Sequence, residues 1–226
     1  MKYDIFESIP QRKYGENASQ VGRMEEVTDF LFRSCANNET ESCSSSEYGG
    51  NLYSEQSYVE KYAKENNCWY SIEEVFNLGT PGPSGSENDT YVDKEGGVVY
   101  KMNNLIHTGS FYKLFKRLLI HNSLFPQTAY FLVGFTGYEG RTIYPLLSQV
   151  YIENAKPAEP SEIKKYMMAL GFSPIDDWAY EGNGIVISDL KPKNVLKDID
   201  GDLYVIDAEI KVKSNWFCCG CLSEGS

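Results

Sequence analysis

Apolar residues recur at helical spacing most cleanly in one segment, where Phe111, Leu114, Phe115, Leu118 and Leu119 fall at i, i+3, i+4, i+7 and i+8. The stripe predicts a helix, with Thr108 or Ser110 able to cap its N-terminus. Weaker stripes predict two earlier helices. Val21, Met24, Val27, Phe30 and Leu31 mark one within residues 1–35, and Tyr58, Val59 and Tyr62 mark another over 54–66. Between them residues 37–57 are rich in Ser, Asn, Glu and Gly and read as a polar linker. Elsewhere short apolar runs end at turn residues. Phe76-Asn77-Leu78 predicts a strand leading into a loop with glycines at 79, 82 and 85, and the runs at 90–92 and 98–102 predict a hairpin turning at 93–97. Strands are expected over 130–135 and 142–152, a helix over 162–170, and short strands at 185–187, 195–196 and 203–206. Runs of strands broken by single helices make the fold class α+β.

Composition narrows the partners. The hydrophobic fraction of 42% is enough for a packed core, and the formal net charge of −11 works against binding nucleic acid or anionic membranes. Residues 1–30 lack the apolar core of a signal peptide, and no run approaches the roughly 18 apolar residues of a membrane span. The six cysteines are unevenly spaced, which fits a cytoplasmic protein with reduced thiols. Cys218-Cys219-Gly220-Cys221 lacks the paired spacing of a zinc site and reads as a reduced tail. Asp198, Asp200 and Asp202 resemble a fragment of a calcium loop but lack its remaining ligands, so a β-turn is expected there. His107 and His121 read as surface or helix-edge residues.

The chemistry concentrates in Ile187-Ser188-Asp189-Leu190-Lys191-Pro192-Lys193-Asn194-Val195-Leu196, followed by Asp207 at the end of the apolar run Leu203-Tyr204-Val205-Ile206. Upstream, Val98-Val99-Tyr100-Lys101 follows the glycine-rich hairpin. The ten-residue segment resembles the protein-kinase catalytic loop, Asp207 the aspartate of D-F-G, and Val98 to Lys101 the V-A-I-K strand. More narrowly, residues 70–212 resemble the kinase domains of bacterial polyvalent proteins carried by mobile elements. Residues 1–55 lie outside that resemblance.

The resemblance implies a minimal bilobal kinase-like fold. Its parts would be a helical extension and linker over 1–60, an N-lobe over 68–153, a truncated C-lobe over 154–212 and a cysteine-containing tail over 213–226. It implies ATP with Mg2+, or Mn2+ in its place. Asp189 would orient the acceptor hydroxyl or take its proton, and Lys191 would neutralise charge on the transferred phosphoryl group. Asn194 and Asp207 would bind the metal as hard oxygen ligands. Lys101 would contact the phosphates, Val99 on the same strand face would cover the adenine, and Gly82 and Gly85 would let backbone approach the phosphates. Gln149 and Tyr151 would stand in the adenine-binding hinge.

Departures from the family pattern are equally definite. Residues 102–125 contain no acid to pair with Lys101, and Glu87, with Glu74 behind it, is the expected substitute. Ile187-Ser188 replaces the H-R pair, and Ala208-Glu209 follows Asp207 where Phe-Gly would stand. Little chain remains after Asp207 for an activation segment, so the acceptor, protein or small molecule, is expected to be small or presented by other segments, and residues 1–60 are expected to pack where the C-lobe is short. Three functions compete: an active kinase, a silent pseudokinase acting as a nucleotide-binding or interaction module, and nucleotidyl transfer on the same fold.

Overall fold

The computed structural model describes residues 22–36 and 52–213. The cysteine-rich tail and residues 37–51 of the expected linker lie outside them. The chain divides into two compact units at Tyr151/Ile152.

Unit 1 begins with helices α1 (Arg23–Ala36), α2 (Leu52–Glu65) and the short α3 (Ile72–Phe76). Strands β1 (Thr80–Pro81), β2 (Asn88–Asp93) and β3 (Val98–Asn103) follow, then α4 (Phe111–Leu124), β4 (Phe131–Gly137) and β5 (Ile143–Val150). The strands form one antiparallel sheet in the order β1-β2-β3-β5-β4. Its main core packs α1, α2 and α4 together with β4 and β5, through Leu31, Val59, Phe111, Leu114, Phe115, Leu132 and Leu147. Phe111, Phe115 and Phe135 meet as a triad with ring centroids 6.1–6.3 Å apart, so the aromatic stripe of α4 is spent on β4. A second cluster, Val75 with Tyr91, Val133 and Leu146, joins α3 to the sheet and takes in Tyr100 and Met102. The alternation expected along β3 is therefore present, with Tyr100 and Met102 sharing one cluster and Lys101 buried between them in sequence.

Several sequence expectations shift. Phe76 ends a helix rather than starting a strand, because Ser71 caps α3 and Glu74 closes a capping box on it. The stretch expected as linker includes the first turns of α2. The N-terminal helices do not stand apart as an extension: α1 packs on α2, α4 and β4 inside the core of unit 1. Of the two candidate caps, Ser110 serves α4, accepting from the Lys113 N–H.

Unit 2 contains β6 (Lys156–Pro157), α5 (Pro160–Ala169), β7 (Ser173–Pro174), β8 (Tyr180–Gly182), β9 (Ile185–Ser188), β10 (Val195–Lys197), β11 (Leu203–Val205) and β12 (Glu209–Val212). They make two small antiparallel sheets, β11-β10-β6 and β12-β9-β8-β7. Helix α5 starts earlier than its apolar spacing predicts. Pro160 fits the first helical position, and Glu159 with Glu162 forms a capping box. Both units mix helix with antiparallel sheet, so the fold is α+β. Among the described residues, no helix is long and apolar enough to cross a membrane.

Candidate functional site

Unit 2 holds the catalytic-loop motif between its two sheets. Strand β9 ends at Ser188, which pairs with Glu209 of β12. Asp189 then turns the chain with φ of 60°, a left-handed conformation that Asp tolerates better than most residues. A single 3-10 turn, Pro192–Asn194, leads into β10. Asn194 closes the loop. Its side-chain amide donates to the Asp189 carbonyl at 2.7 Å and to the Asp189 carboxylate at 2.8 Å. Its own carbonyl accepts from Ile206 N–H at 2.9 Å and from Asp207 N–H at 3.4 Å. The pairing of β9 with β12 and these two bonds bring Asp189, Asn194 and Asp207 into one place. The Lys191 ammonium sits 2.5 Å from the other Asp189 oxygen.

The donor set suits a hard divalent cation. With its side-chain nitrogen committed to Asp189, Asn194 could offer such an ion its side-chain oxygen Oδ1, and Asp207 could add a carboxylate. Mg2+ takes one or two such protein oxygens and completes its shell with phosphate and water. Among the described residues, no three His, Cys, Asp or Glu side chains cluster as an all-protein metal cage. The Asp198 segment is a closed turn: the Asp198 carboxylate accepts from the Asp200 and Asp202 N–H groups and the Tyr204 hydroxyl. Partial burial works against its ionisation, but those bonds outweigh it and hold the carboxyl below the usual range.

Unit 1 holds the other candidates. Lys101, 7% exposed on β3, donates to the Tyr130 hydroxyl at 3.1 Å, with its nitrogen 4.8 Å from the centre of that ring. Glu87, buried just ahead of β2, accepts from Arg117 of α4 at 2.9 Å. The helix thus contributes a cation to this region and the glycine-rich hairpin the acid, the reverse of the family arrangement. Glu74 is spent on the α3 capping box: bonds from the Ser71 N–H and hydroxyl hold its carboxyl low.

The glycines of the hairpin divide by role. A side chain at Gly79 would strike the Val92 backbone at 2.6 Å, so strand packing requires that glycine, whereas one at Gly82 would meet the Thr90 hydroxyl at 2.7 Å, a side-chain contact that Thr90 would have to relieve. Gly85 faces open space. The N–H groups of Gly82 and Gly85 are donated to the carbonyls of Thr90 and Asn88 within the hairpin. Val99 is half-buried opposite Gln149 of β5. The Gln149 side chain is buried and donates to the Thr128 carbonyl at 2.6 Å, and the Tyr151 N–H donates to the Gly97 carbonyl. Gln149 and Tyr151, expected in the adenine-binding hinge, lie at the end of unit 1.

Three residues escaped the sequence reading. His121 is not at an edge but sealed, 1% exposed, with its Nε2 on the Thr128 carbonyl at 3.2 Å. Burial, with the nearby positive charge of Lys101, lowers its pKa to about 3, so it is neutral. The bond to a carbonyl places its proton on Nε2. Glu55 of α2 is fully buried and accepts from the Ser110 hydroxyl at 2.7 Å and the Phe111 N–H at 2.6 Å, so a carboxylate from another helix caps α4. Asn122 brackets the backbone of Tyr130. The first two carry no local pattern, and Asn122 looks like any exposed helix residue.

An α+β chain with this loop geometry falls in the kinase-like class. Residues 53–214 match the family described as Serine/Threonine/Tyrosine Kinase found in polyvalent proteins. That is well over half of the chain, and the chain belongs to this family. The match takes in α2, which the resemblance read from the motifs had left out. No curated protein and no solved structure matches the chain.

Proposed function

We propose that the chain is an ATP- and Mg2+-dependent phosphotransferase, with unit 1 serving as the nucleotide-side lobe and unit 2 as the catalytic lobe of a minimal kinase. The observation that carries the reading is the Asn194 junction, where one residue bonds both Asp189 and the backbone of Asp207. Phosphoryl transfer asks mainly for positioning and charge neutralisation. Asp189 orients the acceptor hydroxyl, Lys191 offsets charge on the transferred group, and Asn194 and Asp207 hold Mg2+, or Mn2+ in its place. Lys101 binds the α- and β-phosphates. Val99, Gln149 and Tyr151 flank the adenine, and Gly82, Gly85 and Glu87 line the phosphate side. The acceptor is a protein or a small molecule, and the acidic chain disfavours nucleic acid and membranes as partners. The protein is cytoplasmic and bacterial on this reading.

A silent relative is the second reading. It is favoured by the helix that presents Arg117 rather than an acid, and by an Asp189 carboxylate already engaged on both oxygens. Thermal shift with MgATP, then transfer from γ-labelled ATP, for wild type, Asp189→Ala and Asp207→Ala, separates the two. An active kinase binds MgATP and loses transfer by about 10²-fold or more in both variants. Binding abolished by Asp207→Ala with no transfer in any form supports the silent module. A wild type that MgATP does not stabilise overturns the active kinase and the nucleotide-binding module alike, and leaves only a module that acts by interaction.

A further inference from the structure

Helix α4 lacks an acid that could reach Lys101, yet it is tied to that lysine by another route. The tie begins at the last turn of the helix. Asn122 uses both ends of its amide on a single residue: its oxygen accepts from the Tyr130 N–H at 2.7 Å, and its nitrogen donates to the Tyr130 carbonyl at 2.8 Å. The peptide of Tyr130 is held as a neighbouring strand would hold it. The preceding helix residue, His121, packs edge-on against the Tyr130 ring, with centroids 5.0 Å apart and planes at 71°. His121 is itself anchored on the Thr128 carbonyl, which also accepts from Gln149. With backbone and ring fixed from consecutive positions of α4, the Tyr130 hydroxyl has one defined position, and there it receives the Lys101 ammonium at 3.1 Å.

We propose that Tyr130 is a positioning residue for Lys101, and that Asn122 sets it, so that α4 governs the nucleotide lysine through a tyrosine. The proposal rests on the reading of Lys101 as the phosphate-binding residue. Its physical sense is specific. A buried ammonium needs oriented acceptors, and the Tyr130 hydroxyl supplies one at a fixed position. The ring face adds cation–π attraction. A shift of the end of α4 would be passed to Lys101 through two short hydrogen bonds and a rigid ring.

The test uses the full chain with Tyr130→Phe, which keeps the ring and its packing on His121, and Asn122→Ala, which removes the grip. Three readouts are taken: melting temperature, MgATP affinity, and the rate at which an amine-acylating reagent labels Lys101 without nucleotide, read by peptide mass spectrometry. Tyr130→Phe is expected to melt within a few degrees of wild type, weaken MgATP binding about tenfold, and change Lys101 labelling several-fold. Asn122→Ala is expected to change labelling in the same direction. In a Lys101→Ala background, Tyr130→Phe should leave MgATP affinity unaltered, because the two residues act as one unit. Labelling and affinity equal to wild type in Tyr130→Phe would overturn the proposal, as would an equal loss of affinity with and without Lys101. If wild type fails to bind MgATP, the proposed function falls, while the labelling arm still decides the Tyr130–Lys101 linkage. If Asn122→Ala does not fold, Tyr130→Phe decides alone.

Discussion

The two units place charged groups in opposite settings. In unit 1, Lys101 is 7% exposed, Glu55 is fully buried, and their partners come from other elements: Tyr130 for the lysine, and the N-terminus of α4 for the glutamate. In unit 2, the side chains of Asp189 and Lys191 are 36% and 48% exposed, and their partners lie within five residues along the chain. Buried polar groups held across a core cannot be removed without leaving orphaned donors or acceptors, whereas groups on a wet loop can exchange partners with water. Changes to polar groups in unit 1 should therefore register first in stability, and changes to the loop of unit 2 first in activity.

The largest expected effect lies at Glu55. Glu55→Ala strands the Phe111 N–H and the Ser110 hydroxyl inside the core and removes a negative charge from a helix N-terminus. It should cost about 2–3 kcal/mol in urea unfolding at neutral pH. Glu55→Gln, which keeps one acceptor oxygen, should recover part of that loss. By contrast, Asp189→Ala should shift the midpoint little. Equal losses at the two positions would erase the distinction between the units.

How much was legible in the sequence follows the same division. The loop of unit 2 was readable because its contacts are local: Asp189, Lys191 and Asn194 meet within a single turn, and Asp207 arrives by strand pairing. The stripe of α4 and the β2–β3 hairpin were legible for the same reason. Glu55 capping a helix more than fifty residues on, and Asn122 gripping Tyr130, are products of tertiary packing that leave no periodic trace. His121 looked like an edge residue because the carbonyl that accepts its proton belongs to a turn seven residues away. One miss had a local signal: Ser71 followed by Glu74 is a capping box, and it announced α3 where a strand was expected.

The middle effect concerns His121. Its pKa is lowered to about 3 in the folded chain, against about 6.5 unfolded. Between those values the unfolded chain binds the extra proton, so stability is complete above about pH 6.5 and falls as pH drops toward about 3. One proton corresponds to about 1.4 kcal/mol per pH unit at most. His121→Gln, which keeps a donor for the Thr128 carbonyl, should fold and show a shallower decline of melting temperature between pH 6.5 and 4. An unchanged slope would show that the buried ring of unit 1 is not what acid attacks.

The smallest effect belongs to unit 2 and sharpens the contrast from the other side. Burial is the largest single influence on the Asp198 carboxyl and opposes its ionisation, but the backbone N–H groups and the Tyr204 hydroxyl together outweigh it and hold the carboxyl below its usual range. A lowered folded pKa contributes stability above the unfolded value of about 4, and that contribution is lost as pH falls through the folded value. Asp198→Asn should therefore melt slightly below wild type at neutral pH, with the gap closing as pH drops below about 4. Calcium distinguishes a turn from a metal loop at the same position. Asp198 directs its oxygens inward to its own turn, so added Ca2+ should leave the difference in melting temperature between wild type and variant unchanged. A calcium-dependent rise that needs Asp198 would give unit 2 a cation site of its own, and would mean that an exposed acid there is held by more than its nearest neighbours.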